Sequence, residues 1–180
     1  MKIPKLILAA LQRRADWIMQ RPPDFVIGNA ADPYLIRWWV IPRNRWFNIY
    51  LHEVRRSDDD RALHDHPWLN ASIIVRGGYH EQTIATGGIR HRALRVAGSM
   101  VFRRARAAHR LEVDPSLGTT ISLFITGPIV RHWGFHCPDA GWRHWEDFTG
   151  PAAKGQVGRG CGEMDVQARK GGLRLTFGKV

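Results

Sequence analysis

The stretch His64 to Gly78, HDHPWLNASIIVRGG, decides the fold and carries the first chemical signal. It opens with two histidines one residue apart and continues into a β-branched run, Leu69 to Val75, which Gly77-Gly78 ends. Such a run between turn signals indicates a strand. Because side chains alternate along extended chain, His64 and His66 lie on one face and can reach the same metal ion.

Short strands recur after this stretch. Gly-Gly, Asp-Pro and Gly-Pro turn signals separate them. The predicted strands are Tyr79 to Ala85, Arg90 to Val96, Met100 to Arg103, His109 to Val113, Thr119 to Thr126 and Val130 to His136, and a helical turn is predicted at Trp142 to Phe148. So many short strands are typical of an all-β sandwich or barrel.

The N-terminal side adds a helix and two strands. Apolar residues recur at helical spacing from Ile3 to Met19, which predicts an amphipathic helix that ends before Pro22 and Pro23. A loop is expected up to Pro33, followed by strands at Tyr34 to Ile41 and Phe47 to Val54. The predicted organisation is an N-terminal helix (1–23), a β-domain (34–148) and a Gly-rich tail (150–180) with a last strand at 173–177.

The spacing around the histidines resembles the two motifs of the cupin superfamily, G-x5-H-x-H-x3,4-E-x6-G and G-x5-P-x-G-x2-H-x3-N. The resemblance covers roughly residues 61 to 113. Here His64, His66 and Gly77 match the first motif, with Asn70 at the Glu position, while Gly98 and His109 match the second. The sequence departs from the motifs at Asp58, Arg104, Arg106 and Val113.

This resemblance implies an all-β fold, a cupin-type jelly-roll β-barrel, here with an N-terminal amphipathic helix. It also implies one divalent metal ion per chain, bound by His64, His66 and His109, with Asn70 at the position of the fourth ligand. Asn70 offers a neutral carbonyl oxygen, which is a weaker ligand than a carboxylate. A three-histidine site, as in cysteine dioxygenase-like cupins, is therefore expected, with iron as the metal and Zn, Ni or Mn as alternatives.

Three functions follow from the resemblance and stay open at this point. The first is an Fe(II)-dependent dioxygenase acting on a small, anionic substrate. The second is a non-catalytic cupin that serves as a ligand-binding or structural module, because the signature positions Asn70, Arg104, Arg106 and Val113 have changed. The third is a metal-dependent isomerase or epimerase, which needs a base such as Glu81 or His52.

Further candidate site residues each have a structural alternative. Glu81 is a candidate catalytic base or metal ligand if it points into the barrel, and otherwise a solvent-facing hairpin residue. Arg104 and Arg106 are candidate anchors for an anionic substrate, or exposed loop residues. His52, Trp68 and His132 are further candidates for substrate contacts, or ordinary wall and rim residues.

Composition constrains partners and location. The chain has 180 residues, a net charge of +11, and 22 arginines against 5 lysines. The arginines are scattered rather than clustered, which argues against nucleic acid and leaves a small molecule as the expected ligand. No apolar run is long enough to span a membrane, and two cysteines cannot form a disulfide framework, so the cytoplasm is expected. Cupins commonly pair through exposed barrel faces, so the resemblance implies a homodimer, with the N-terminal helix and the Trp-rich strands as its expected interface.

Overall fold

A computed structural model describes residues 1–29, 31–58, 62–85, 88–138, 140–149 and 160–161. The tail predicted at 150–180, with its last strand at 173–177, lies outside the described residues except for positions 160 and 161. None of the helices within these ranges is long and apolar enough to cross a membrane.

The described residues form two helices, twelve strands and one 3-10 turn. The helices are α1 (Lys5–Met19) and α2 (Trp145–Thr149), and the 3-10 turn is Pro115–Leu117. The first six strands are β1 (Phe25–Asn29), β2 (Asp32–Trp39), β3 (Asn48–Val54), β4 (Leu63–His64), β5 (Asn70–Arg76) and β6 (Gly78–Ile84). The others are β7 (Arg90–Val96), β8 (Met100–Arg103), β9 (His109–Val113), β10 (Thr120–Thr126), β11 (Gly134–Cys137) and β12 (Gly141–His144).

Strand order defines a jelly roll. One sheet has the order β1-β2-β3-β10-β5-β8 and the other β12-β11-β4-β9-β6-β7. The eight strands from β3 to β10 pair antiparallel from the ends of that segment inward: β3 with β10, β4 with β9, β5 with β8, and β6 with β7. A long hairpin folded across two sheets in this way is the jelly-roll arrangement found in cupins. The predicted fold class is confirmed, with the described strands in two separate sheets rather than one closed barrel.

Two strand pairs extend the sheets at one edge each. Strands β1 and β2 extend the first sheet, and β11 and β12 extend the second. The loop prediction up to Pro33 was wrong, because β1 pairs with β2 across a register shift at Ile27/Gly28. Gly28 has φ +100°, and a Cβ there would lie 2.8 Å from the backbone nitrogen of Tyr34. This glycine permits the close approach of the two strands.

Helix α1 covers the outer face of the first sheet. Ala15 and Ile18 pack in one core cluster with four side chains of that sheet, namely Trp38, Leu51, Val75 and Ile121. The amide of Gln12 donates to the carbonyl of Val75 at 3.0 Å. Because side chains alternate along a strand, Ser72 and its register partner Phe124 lie on the opposite, inner face of this sheet.

The C-terminal part of the described domain differs from its predicted structure. The strand expected at Val130 to His136 begins only at Gly134, and β12 precedes helix α2 where a single helical turn was expected. Gly134 lies so close to β12 that a Cβ would meet the backbone oxygen of Arg143 at 1.9 Å. Cys137 and Cys161 form a disulfide, so the cysteines do not support the predicted cytoplasmic location.

Candidate metal centre

Three histidines converge between the two sheets. His64 ends the two-residue strand β4 and faces His109 of β9 in register, and His66 follows two residues later. One ring nitrogen from each lies within 4.8 Å of the others. The Nε2 atoms of His66 and His109 are 2.9 Å apart. The structure therefore brings together the three histidines that the sequence singles out, and we call them the histidine cluster.

Asp65 holds the chain between the two neighbouring histidines of the cluster. Its side chain is 1% exposed and points to the opposite face, where Oδ1 accepts from the backbone nitrogen of Gly134 at 2.9 Å. Its Oδ2 accepts from Trp142 Nε1 at 3.1 Å and pairs with Arg131 at 2.9 Å. Because Asp65 is fixed outward, alternation turns His64 and His66 inward.

Glu81 lies behind His109. One carboxylate oxygen is 3.1 Å from His109 Nδ1, and it also accepts from Arg103 Nε at 2.6 Å. The second oxygen accepts from Arg95 Nε at 2.8 Å. Burial acts to raise the pKa of Glu81, but the hydrogen bond with His109 and the charge of Arg103 hold that pKa well below its ordinary value. Glu81 thus points inward as a charged group that orients an imidazole.

Asp58 plays a similar part behind His64. Its Oδ2 is 3.5 Å from His64 Nδ1 and accepts from the backbone nitrogen of Leu111 at 2.8 Å. Its other oxygen accepts from the hydroxyl of Tyr34. With carboxylates behind the Nδ1 atoms of His64 and His109, the Nε2 atoms of both rings are left for a metal ion. The sequence analysis singled out this residue only as a departure from the cupin motif, so its place behind His64 was not expected.

Two of the cluster histidines, His66 and His109, have environments that favour neutral imidazole. Burial lowers the pKa of His66 well below its usual value, and the neighbouring His109 adds to this effect. Burial also lowers the pKa of His109 to about 4, where Arg103 acts in the same direction and Glu81 opposes it. Neutral imidazole is the form that binds metal ions, so these two donors are ready at neutral pH.

The buried arginine of this region is Arg103, not the two arginines that sequence reasoning chose. Arg104 and Arg106 are exposed, because β8 ends at Arg103 and the chain turns away. Arg103 is 5% exposed, and besides Glu81 it contacts Ser72 Oγ at 3.0 Å. Arg103 lies on the inner face because of its position in β8, opposite Asn70. Its contact with Glu81 arises only because the two sheets pack against each other.

Asn70 lies on the inner face of the first sheet, opposite Arg103 in register. Its Oδ1 is 3.5 Å from Arg103 Nη1, and its Nδ2 is buried without a hydrogen-bond partner among the described residues. The carbonyl oxygen that was expected to bind metal therefore faces a guanidinium. A role for Asn70 as the fourth ligand stays a prediction.

The remaining candidates lie at different distances from the cluster. Trp68 stacks on His66 with ring centroids 6.4 Å apart, and Phe124 lies between His66 and His52, at 5.6 Å and 5.2 Å. His52 is buried and accepts from Arg37 Nε at 2.8 Å. His132 is exposed and lies 3.4 Å from the ring of His144, and the structure does not bring it to the cluster.

A pocket of about 390 Å³ adjoins the cluster on the side where Trp68 stacks on His66. Trp68 and Tyr50 form part of its wall, and so does Arg37. The other lining residues are Phe25, Trp39, Arg43, Asn44, Arg45, Asn48, Gly127 and Ile129. Its size suits a small ligand.

These observations define a class of protein: a jelly roll of the cupin type with a histidine cluster between its sheets. Among solved structures, HppE in its Fe(II) form with an alternative substrate is similar over 61% of this chain and 57% of its own, at 14% identity and a TM-score of 0.48. Hydroxypropylphosphonic acid epoxidase from S. wedmorenis is similar over 59% and 57%, at 14% identity and a TM-score of 0.45.

Oxalate decarboxylase from Bacillus subtilis, a protein with Mn(II) centres, is similar over 66% of this chain and 30% of its own, at 14% identity and a TM-score of 0.46. This chain thus spans less than two thirds of the length of the matched chain in each of these three structures. No protein-family model and no curated protein matches the sequence. The fold assignment therefore depends on the strand order itself.

Proposed function

We propose that this protein binds one divalent transition-metal ion through His64, His66 and His109. The observation that carries the proposal is the convergence of three ring nitrogens within 4.8 Å of one another. The donor set fits such an ion, because neutral imidazole suits Fe, Zn, Ni and Cu. The carboxylates behind two of the three rings are the outer partners that metal-bound histidines commonly have.

Iron is the metal we propose, and oxygenation of a small anionic substrate is the reaction class. Bound iron(II) would supply the redox chemistry with dioxygen, and three protein ligands leave open positions for it. The protein's own part is to exclude water and orient the substrate. Trp68 and Phe124 form an apolar border beside His66, while Arg37 brings a positive charge to the adjoining pocket.

The state of the candidate bases supports oxygenation over isomerisation. An isomerase needs a group that removes a proton from carbon. Glu81 is held as a carboxylate by Arg95 and Arg103, and its oxygens face those arginines and His109. His52 uses Nε2 to accept from Arg37. Neither candidate base has the freedom that proton transfer with a substrate requires.

A non-catalytic ligand-binding module is the second candidate. Asn70 stands where the cupin motif has a metal-binding Glu, and its carbonyl oxygen faces Arg103. With three neutral ligands, the site would bind its metal less tightly than one that includes a carboxylate. Binding of a ligand in the adjoining pocket would then be the main function of the chain.

Metal content is the measurement that tests the proposal. The protein is purified without oxygen, reconstituted with Fe(II), and analysed for metals beside His64→Ala, His109→Ala and the matched control His91→Ala, whose histidine is exposed on β7. We expect about one ion per chain in the wild type and in His91→Ala, and a loss in both cluster variants. Wild-type protein without metal after reconstitution would contradict the proposal.

Oxygen consumption then separates the two candidates. Iron-loaded protein is assayed with small carboxylates, phosphonates and phosphate esters on an oxygen electrode. Turnover above the His64→Ala background would support the oxygenase. Tight ligand binding with consumption at that background throughout would favour the ligand-binding module.

A further inference from the structure

We infer that the pocket beside His66 is an anchoring site for a small dianion attached to a ring, such as an aryl phosphate or an aromatic dicarboxylate. The inference deepens the proposed function, on which it rests, by naming the substrate class of the metal centre. We call this pocket the arginine pocket, and its defining side chains are Arg37, Arg43, Arg45, Trp39, Tyr50 and Trp68.

Positive charge in the arginine pocket has no counter-charge among the residues that the structure describes. Arg37, Arg43 and Arg45 line it, and no carboxylate does. Within the described residues, none of the three forms an ion pair with Asp or Glu, whereas Arg76 and Arg103 do. Guanidinium groups pair with phosphate and carboxylate in bidentate fashion, so three such groups without a carboxylate partner in about 390 Å³ favour a doubly charged anion over a single carboxylate.

Arg37 is the cation that faces inward. Its Nε donates to His52 at 2.8 Å, which leaves the two terminal nitrogens available for a ligand. Burial lowers the pKa of Arg37, and the nearby charge of Arg43 contributes in the same direction. A bound anion would relieve this convergence of like charges.

Aromatic rings form the other walls. The guanidinium of Arg37 lies 4.7 Å from the ring centre of Tyr50, and that of Arg43 lies 5.5 Å from that of Trp39. Trp68 contributes the wall toward the cluster, and its buried Nε1 has no hydrogen-bond partner among the described residues. Rings beside cations suit a planar ligand that carries negative charge.

The loop that presents two of the arginines is held in place. The side chain of Asn44 accepts from the backbone nitrogens of Trp46 at 2.9 Å and Phe47 at 3.0 Å. The backbone nitrogen of Asn44 donates to Asn48 Oδ1 at 3.0 Å, and its backbone oxygen accepts from Asn48 Nδ2 at 2.9 Å. Arg43 and Arg45 flank this fixed turn, so their backbone positions need little ordering when a ligand binds.

Two lines of contact join the arginine pocket to the histidine cluster. Trp68 lines the pocket and stacks on His66 at an angle of 15°. Arg37 bonds to His52, which stacks on Phe124, and Phe124 meets His66. A ligand with its anionic group on Arg37 would therefore place its ring against Trp68, next to the metal-binding side of the cluster.

Binding of phenyl phosphate to the metal-free protein tests the pocket independently of the metal. Titration calorimetry compares the wild type with Arg43→Gln and Arg45→Gln, whose side chains are exposed and leave the core intact, and with the control Arg90→Gln on β7 of the other sheet. We expect roughly tenfold weaker binding in each pocket variant and wild-type affinity in the control. Equal affinity in all four proteins, or no binding by the wild type, would overturn the inference.

Phthalate, benzoate and a twelve-nucleotide single strand serve as comparison ligands in the same titrations. If phthalate binds at least as tightly as phenyl phosphate, the anion is a dicarboxylate. If phenyl phosphate binds more tightly than phthalate, the anion is a phosphate ester. Benzoate as tight as both would contradict the preference for a dianion. Binding of the oligonucleotide more tightly than phenyl phosphate, with the same dependence on Arg43, would assign the pocket to nucleic acid and overturn the inference.

The 31P NMR line width of phenyl phosphate then tests proximity to the metal. Mn(II) in the wild type should broaden the line, and the broadening should be absent in His64→Ala although the titrated affinity for phenyl phosphate is retained. If the protein takes up neither Fe(II) nor Mn(II) but still binds phenyl phosphate, the proposed function fails while the anion site stands. If Mn(II) binds and the bound phosphate line stays sharp, the pocket is separate and the substrate assignment fails.

Discussion

At the residue scale, two carboxylates determine how the cluster histidines are presented. Asp58 and Glu81 lie behind the Nδ1 atoms of His64 and His109. Glu81 also forms ion pairs with Arg103 and Arg95 and so balances their positive charge. One buried side chain therefore has both an orienting and a structural role. The two roles can be separated experimentally, because stability and metal affinity are different measurements.

Glu81→Gln should lower both quantities. The variant leaves Arg103, a buried cation, without its carboxylate, and breaking a buried pair costs about 3 kcal/mol of the free energy of unfolding. Loss of the partner of His109 should weaken metal affinity roughly 10- to 100-fold. Urea unfolding and metal titration measure the two effects. Glu112→Gln, in which the lost partners include the exposed Arg92, is the control and should cost under about 1 kcal/mol.

Acid should destabilise the metal-free protein through His109. Its pKa is about 4 in the folded protein and 6.5 ordinarily, so between these values the unfolded chain binds the extra proton. Stability is therefore fully present above pH 6.5 and falls as pH decreases toward 4, by on the order of 3 kcal/mol for this group. Urea midpoints at successive pH values measure how steeply stability depends on pH. His109→Gln should show a shallower slope, and an unchanged slope would contradict the assignment.

At the element scale, the short strand β4 depends on its neighbours. It has only two residues, and it lies between β9 and β11. Asp65 ties the chain that follows β4 to β11 through the backbone of Gly134, and to β12 through Trp142. The histidine pair is therefore positioned by contacts with segments about 70 residues further along the chain.

Asp65→Ala should loosen this attachment. It removes the acceptor for Gly134 and Trp142 and leaves Arg131 unpaired, so we expect a loss of about 3 kcal/mol in the free energy of unfolding and weaker metal binding. Asp65→Asn keeps an acceptor for Gly134 and should recover part of the free energy of unfolding and part of the metal affinity. The exposed Asp147→Ala is the control for both measurements. Unchanged metal affinity in a destabilised Asp65→Ala would show that Asp65 has no positioning role.

At the scale of the whole molecule, apolar side chains remain uncovered on α1. Leu6 is 86% exposed, Trp17 57% and Ile7 51%. The opposite side of the same helix packs on the first sheet through Ala15 and Ile18. An exposed apolar surface of this kind supports the homodimer expected from the sequence, which stays a prediction.

Leu6→Glu should therefore dissociate the homodimer. A charge in the centre of an apolar contact opposes burial, while α1 itself keeps its inner face. Sedimentation equilibrium should give twice the chain mass of 20.6 kDa for the wild type and the chain mass for the variant. Leu94→Glu, at a 51% exposed position on β7, is the control and should remain dimeric. A monomeric wild type would refute the prediction.

Much of the fold could be predicted from the sequence, because local rules determine it. The strands Arg90–Val96, Met100–Arg103 and His109–Val113 have the predicted bounds, since alternation and turn residues act over a few positions. The H-x-H spacing likewise places two imidazoles on one face without reference to the rest of the chain. Strand β1 was missed, because its glycine is needed for a close approach of two strands that local patterns do not show.

Only the tertiary structure decided what surrounds the histidines. Sequence reasoning selected Arg104 and Arg106, which are exposed, and passed over Arg103, which lies against Glu81. Burial and charge pairing depend on which segments meet across the two sheets, and those segments are distant in sequence. The sequence by itself therefore determined the donors of the candidate metal centre. Packing of the two sheets determined their orientation, the lowered pKa values of His66 and His109, and the pocket beside them.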